Sequence, residues 1–246
     1  GLGIPAEPLF RSSYPRHNDR SFDVDKAEHI RKDAMHMNRY SCVYKGMDFE
    51  SAEVRFYKET FSKYIKQRKE LAKKHRHPER EITSEDLRRD IRTRPEETII
   101  QIGDYDETIS DYRILLRIFD ELQVYSDKVT RGHCKVIDAA LHMDEATPHI
   151  HFRKVWVYEE DGIKKIGQEK ALKSAGIERP YPERPQSRRN NRKVTYDRMM
   201  REKLYELCFE HGIKIDIIPD PPRPELSKDD YILWQMEKEK RRIREL

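Results

Sequence analysis

The sequence is short of the residues that staple, span or cross-link a chain. Its three cysteines, Cys42, Cys134 and Cys208, are widely separated in 246 residues and fall in neither a CxxC nor a zinc-finger spacing. That excludes a disulfide framework and predicts reduced thiols in a cytoplasmic protein. No apolar run approaches the roughly 18 to 20 residues that cross a bilayer, and no signal-peptide pattern precedes the first charges. Apolar residues are themselves scarce, 36% against 39% charged, with a mean hydropathy of -1.00. An ordinary globular domain has more, so one modest core carrying long solvated helices is expected. The HExxH helix of zinc proteases is absent too, which removes the metalloprotease class.

What the chain has in plenty is charge, and its positive part is clustered. The net charge of +4 is mild, but basic residues gather over 63–80 and again over 179–193, where Arg188, Arg189 and Arg192 stand at the centre. Such runs suit a polyanion, because Lys and Arg release counterions condensed on phosphates.

Hydrophobic spacing gives the elements. The prolines at 5, 8 and 15 predict an extended arm over 1–16. Val54, Tyr57, Phe61, Tyr64 and Leu71 recur at helical spacing and predict one long amphipathic helix over 48–75. Ser84 is read as the N-cap of a short second helix. The TIIQI run over 98–102 reads as a buried strand, followed by a helix with Tyr112, Leu115, Leu116, Phe119 and Leu122 on one face. Strands over 134–143 and 149–158, joined by a tight connection, are predicted to pair antiparallel. After the Asp161-Gly162 turn come a short helix over 169–174, a Pro- and Arg-rich loop over 179–191, and a helix closed by Gly212 as C′. A last strand over 213–218 meets a proline cluster, which sets the expected boundary between a domain over 1–220 and a linker with a charged helix over 221–246. That segment is expected to lead to a further region, and its loose apolar stripe makes it a candidate for homo-oligomer contact.

The chemistry lies in HMDEATPHIH over 142–151. Along a strand, residues i and i+2 share a face, so His149 and His151 project together. On the preceding strand His142 shares its side with Ala140, while Leu141 and Met143 share the other with Ile137. Antiparallel pairing brings His142 beside the pair and completes a three-nitrogen site. Three protein ligands leave positions open for a substrate oxygen, the layout of a catalytic metal. Asp144 and Glu145 in the turn are placed to orient an imidazole or accept a proton. Imidazole suits Mn, Fe, Co, Ni or Zn, and ligand type alone does not choose among them.

This motif resembles that of the mobilisation relaxase and plasmid recombination (Mob/Pre, MobV-type) family of HUH endonucleases. The HNDR element over 17–20 is similar to the family's N-terminal HN(E/D)R, and the likeness runs over about 14–218. The resemblance implies an α+β fold whose central antiparallel sheet carries the three-His site, flanked by helices. It also implies a metal-dependent, site- and strand-specific nicking of single-stranded DNA at a plasmid or mobile-element transfer origin, through a covalent 5′-phosphoryl intermediate. The partner is then DNA and the cofactor one divalent ion, Mn²⁺ first and Mg²⁺ or another transition metal as alternatives. By matching positions His142, His149 and His151 are the ligands, His17 the nucleophile, and Glu145 an aid to the ligand shell or proton transfer. Arg20 contacts DNA phosphate or the active-site charge.

Most HUH enzymes use tyrosine instead, which makes Tyr14, Tyr40 and Tyr44 rivals to His17. Rolling-circle replication initiators carry a YxxK after the His motif; here Tyr196 is followed at the third position by Met199 and Tyr205 by Cys208. A non-catalytic DNA-binding or replication-accessory protein on the same fold is the remaining alternative.

Overall fold

The computed structural model describes residues 15–27, 29–103, 109 and 111–215. The chain divides into two units, Gly1–Asp216 and Ile217–Leu246. Tyr14, most of the N-terminal arm, the proline cluster, the C-terminal helix and residues 216–218 of the last expected strand lie outside the described residues.

The centre of the first unit is the hairpin of β3 (Cys134–His142) and β4 (His149–Glu160). β1 (Arg39–Cys42) pairs with β3 and β2 (Glu96–Gln101) with β4, all antiparallel, in the order β1-β3-β4-β2. The short strand β5 (Ile163–Ile166) folds back on the far end of β4. Asp161 and Gly162 at that turn have φ of 56° and 70°, the left-handed pair that a two-residue hairpin needs.

Register decides what each face carries. On one face Ala139, Leu141, Ile150 and Phe152 pack against α5 (Tyr112–Val129) and α7 (Arg192–Glu210). Leu115, Ile118, Phe119 and Leu122 of α5 are at most 3% exposed, and burying each contributes roughly 1.5–3 kcal/mol. The opposite face carries the histidines with Asp138, Arg153 and Glu97. It is covered by α1 (Pro15–Asn18) and α2 (Phe49–Thr60), through the Asn18–His142 and Glu53–Arg153 contacts. The remaining helices are α3 (Ser62–Lys74), α4 (Ser84–Arg89) and α6 (Gln168–Ser174). This is the expected α+β architecture, and no helix among the described residues is long and apolar enough to cross a membrane.

Several local expectations are corrected. The long helix over 48–75 is two helices, α2 and α3, broken at Phe61, whose φ and ψ are -104° and 11°. The fully buried Phe61 ring keeps its i,i+4 contact with Tyr57, centroids 5.5 Å apart, and the Ser62 hydroxyl donates to Glu59 O at the break. α4 is capped by Thr83, in a reciprocal box with Asp86, so Ser84 lies inside the helix. β2 is an edge strand with every residue half-buried. Pro15 opens α1 and does not belong to an extended arm. Ile137 does not share a side with Leu141: a bulge between Val136 and Asp138 turns it to the other face, against Phe56, Tyr57 and Val155.

Candidate metal centre

The β3–β4 register sets His142 opposite His149 and Ala140 opposite His151, so all three imidazoles leave one face of the sheet. Their ring centroids are 4.7 Å (His142–His151), 4.8 Å (His149–His151) and 5.3 Å (His142–His149) apart. Each ring is held at one nitrogen by an acceptor. His142 Nε2 donates to Asn18 O at 2.8 Å, His149 Nδ1 to Thr147 O at 2.8 Å, and His151 Nδ1 to Glu97 Oε1 at 2.9 Å. That fixes the tautomers and leaves lone pairs on His142 Nδ1, His149 Nε2 and His151 Nε2. Two of these, His142 Nδ1 and His151 Nε2, are buried with no hydrogen-bond partner.

Burial keeps the rings neutral. Burial first, then the neighbouring His151, Arg20 and His149, hold His142 down to about 2. Burial also lowers His149, and drives His151 well below its ordinary value. Neutral, pre-oriented and unpaired nitrogens are what an imidazole site offers a borderline transition metal. The residues therefore fit a divalent cation.

Glu145 stands against the same nitrogens, 3.6 Å from His142 Nδ1 and 3.9 Å from His149 Nε2. Ligand atoms come closest in two overlapping sets, His142–Glu145–His149 and His17–His142–His151. Neither set holds all three expected ligands: the two share His142 and add a fourth imidazole, His17, and one carboxylate, Glu145. Burial pushes Glu145 up, but hydrogen bonds from His17 and Arg20, the nearby His149 and the Arg20 charge outweigh it and hold the carboxyl far below its ordinary value.

α1 delivers His17, whose centroid is 5.7 Å from that of His142 and 6.0 Å from that of His151. Its Nε2 lies 3.4 Å from Glu145 Oε1 and 3.3 Å from Arg20 Nη1. Arg20 is not on an open surface. Its guanidinium forks onto Asp144 (Nε–Oδ2 3.0 Å, Nη2–Oδ1 2.7 Å), reaches Glu145 Oε1 at 2.7 Å and holds His17 O at 2.9 Å. Asp144, fully buried, therefore anchors Arg20 and is hydrogen-bonded to no imidazole in this arrangement. Asp144 and Glu145 against Arg20 leave the cluster one negative charge to offer a cation.

The other residues that the sequence singles out lie elsewhere. Arg188 and Arg189 are exposed in the loop before α7. Arg192, at the head of α7, is committed to Glu169 at 2.6 Å and Glu178 at 3.3 Å. The Tyr44 hydroxyl binds Glu59 at 2.8 Å under Arg55, and burial pushes it up to about 12. Tyr40 accepts from Asn38 at 3.1 Å and packs on Phe49. Among the described contacts, neither tyrosine touches the imidazoles.

Sequence reading missed the layer beneath the histidines. Glu97 holds His151, and Arg153, 4% exposed, holds Glu53 at 2.6 Å beside Asp138 at 3.8 Å. One signal was present: Arg153 follows His151 by two on β4, so strand alternation places this charge on the same face.

No protein-family model and no curated protein matches the chain in sequence. Solved structures do match in shape. One is the MobM relaxase domain (MOBV; Mob_Pre) bound to 22 nucleotides of plasmid pMV158 oriT DNA, Mn-bound, at pH 5.5. It is 15% identical with a TM-score of 0.51, covering 95% of this chain and 98% of that one. A second, bound to 22 nucleotides with a 3′-thiophosphate, Mn-bound at pH 6.8, matches with the same identity, coverage and score. The chain thus has the fold of the MobM relaxase domain.

Proposed function

We propose that this protein is a metal-dependent relaxase, nicking one DNA strand at a transfer origin and keeping the 5′-phosphoryl end on His17. The observation that carries this reading is the convergence of three neutral imidazoles on one sheet face, two of them with buried unpaired nitrogens, with a fourth imidazole at the rim. The Mn-bound, oriT-bound state of the structures sharing the fold supports the choice of ion and substrate.

His142, His149 and His151 would hold the metal, with Glu145 able to join them. When bound there, a divalent cation supplies neutralisation of charge on the scissile phosphate. A lone pair of the His17 imidazole attacks phosphorus, so an N–P bond forms and the P–O3′ bond breaks. The imidazole proton passes to Glu145 and from there to the departing 3′ oxygen, which leaves as a hydroxyl. Arg20, locked between Asp144 and Glu145, keeps a fixed positive charge beside the developing negative one. Bond energy is conserved in the phosphoramidate for rejoining.

A groove along the edge strand β2 supplies a path for the strand. Arg92, Arg94, Arg188 and Arg198 line it together with the Lys193–Glu96–Asp197 cluster, and Pro15 and Glu97 place part of its lining beside the site. Guanidinium and ammonium groups so arranged suit a single-stranded phosphate backbone.

The test is incubation of the protein with Mn²⁺ and supercoiled or single-stranded DNA carrying candidate transfer origins, followed by denaturing electrophoresis. A protein–DNA adduct that is acid-labile, maps to the His17 peptide and disappears in His17→Ala is the expected result. An acid-stable adduct on Tyr14, Tyr40 or Tyr44 refutes the His17 assignment. Full nicking by His17→Ala with no adduct replaces the whole reading with a hydrolytic nuclease, and DNA binding without cleavage replaces it with a non-catalytic protein on this fold.

A further inference from the structure

Behind the imidazoles lies a set of contacts that joins α1 to two of the rings. Asn18 is fully buried and is the residue after His17. Its side-chain Nδ2 donates to Glu97 Oε1 at 2.7 Å, the same oxygen that accepts from His151 Nδ1 at 2.9 Å. Its backbone oxygen accepts from His142 Nε2 at 2.8 Å. One residue of α1 thus reaches a ring on β3 directly and a ring on β4 through a carboxylate on β2.

We propose that Asn18 and Glu97 form a positioning bridge that fixes the tautomers of His142 and His151 from the very helix that carries His17, so that ligand orientation and nucleophile placement are set together. The proposal rests on the reading of His142 and His151 as metal ligands. The geometry is specific in three ways. Glu97 Oε1 receives two donors at once, and a carboxylate oxygen has the lone pairs to accept both. Donation from His151 Nδ1 to Glu97 leaves Nε2 as the lone-pair nitrogen, the one that is buried and unpaired. His149, by contrast, is held by Thr147 O within its own loop, so it stands outside the bridge and serves as an internal control.

A carboxylate behind a ligating imidazole orients the ring and raises its basicity, and removing such a partner costs 10–100-fold in metal affinity. Asn18→Ala would release Glu97 and loosen His151 from a distance, while leaving the His142 contact, which uses backbone.

Two measurements on the intact chain test this. In the metal-free protein, ¹⁵N correlation spectra of the imidazoles should show His151 as the Nδ1–H tautomer. In Glu97→Ala the His151 signals should move toward a mixture while those of His149 stay fixed. Calorimetry with Mn²⁺ should then give a 10–100-fold loss for Glu97→Ala, and a smaller loss for Asn18→Ala. The two changes should combine to less than the product of the single losses, since they act through one oxygen. Glu97→Gln keeps the acceptor without its charge and should retain the tautomer with an intermediate affinity; it also serves if the alanine variant fails to fold. Unchanged His151 signals in Glu97→Ala, tautomer mixing in Glu97→Gln that matches His149 equally, or independent losses for Asn18 and Glu97 would overturn the bridge. Wild-type protein that binds no Mn²⁺ yet shows the fixed His151 tautomer would instead overturn the metal reading and leave the contact itself standing.

Discussion

Replacing Glu96 with Gln tests whether the groove beside the site is held by a buried charge cluster. The Glu96 side chain is 26% exposed and meets Lys154 Nζ at 3.3 Å and Lys193 Nζ at 3.0 Å. It also accepts from Trp156 Nε1 at 2.9 Å and Gln168 Nε2 at 2.7 Å. Burial pushes its carboxyl up, but Lys154, Lys193 and the Trp156 hydrogen bond outweigh that and bring it from 4.5 to about 2. At about 1.4 kcal/mol per tenfold change in proton affinity, the gap corresponds to roughly 3 kcal/mol; the exposed quarter of the side chain reduces it to about 2–3. Because the folded value lies below the unfolded one, this stability is complete above pH 4.5 and is lost as pH falls toward 2. Gln keeps the size and one acceptor, so the difference between wild type and Glu96→Gln in urea unfolding should be about 2–3 kcal/mol at pH 7. It should shrink to about 1 at pH 3, where roughly one tenfold step of the gap is still expressed. A difference that is negligible at pH 7, or that does not narrow on acidification, refutes the reasoning.

Three further outcomes are expected. His149→Ala or His151→Ala should weaken Mn²⁺ binding by more than the 10–100-fold typical of an outer partner, read by calorimetry against unchanged circular dichroism. Replacing exposed Arg188 and Arg189 with Gln should reduce the slope of log affinity for single-stranded DNA against log salt by up to about 1.4, or about 0.7 for each phosphate no longer neutralised. Arg192→Gln, which breaks the Glu169 and Glu178 pairs, should leave that slope in place and lower thermal stability instead. Arg153→Met should cost up to about 3–5 kcal/mol, because it leaves the buried Glu53 carboxylate only Arg88 Nη1 at 3.6 Å. Asp138→Asn should cost less than about 1, since burial and then Glu53 push Asp138 well above its ordinary range; chemical denaturation ranks the pair.

The strand pair and its three histidines were legible because a strand has a period of two and the connection is short, so face and partner follow from local order. The α5 stripe was legible for the same kind of reason. Phe61 was not: its spacing continues the helical pattern, and no residue type there announces the break at its backbone. Ile137 was misplaced because a bulge adds one residue to the count, and no residue type at 136–138 announces it. Glu97 and Arg153 were missed for a deeper reason. Glu97 lies 54 residues from His151, and Arg153 lies 100 from its Glu53 partner, so their meeting is a property of the packed sheet and not of any window of sequence.

The HNDR tetrapeptide shows why four adjacent letters can carry a signal that none carries alone. His17 faces the imidazole cluster, Asn18 clamps one ring through its backbone and a second through Glu97, and Asp19 Oδ2 accepts from Phe49 N at the start of α2 at 2.7 Å. Arg20 has a φ of 60°, an uncommon state for a residue with a Cβ. That turn reverses the chain just after α1, so its guanidinium folds back to hold His17 O while gripping Asp144 and Glu145. Each residue acts on a different element: the sheet, the edge strand, the covering helix and the β3–β4 turn. A lone histidine near a metal-ready cluster would be free to sample many placements. Tied on three sides within one turn of helix, His17 has few, and that restriction suits the nucleophile role proposed for it.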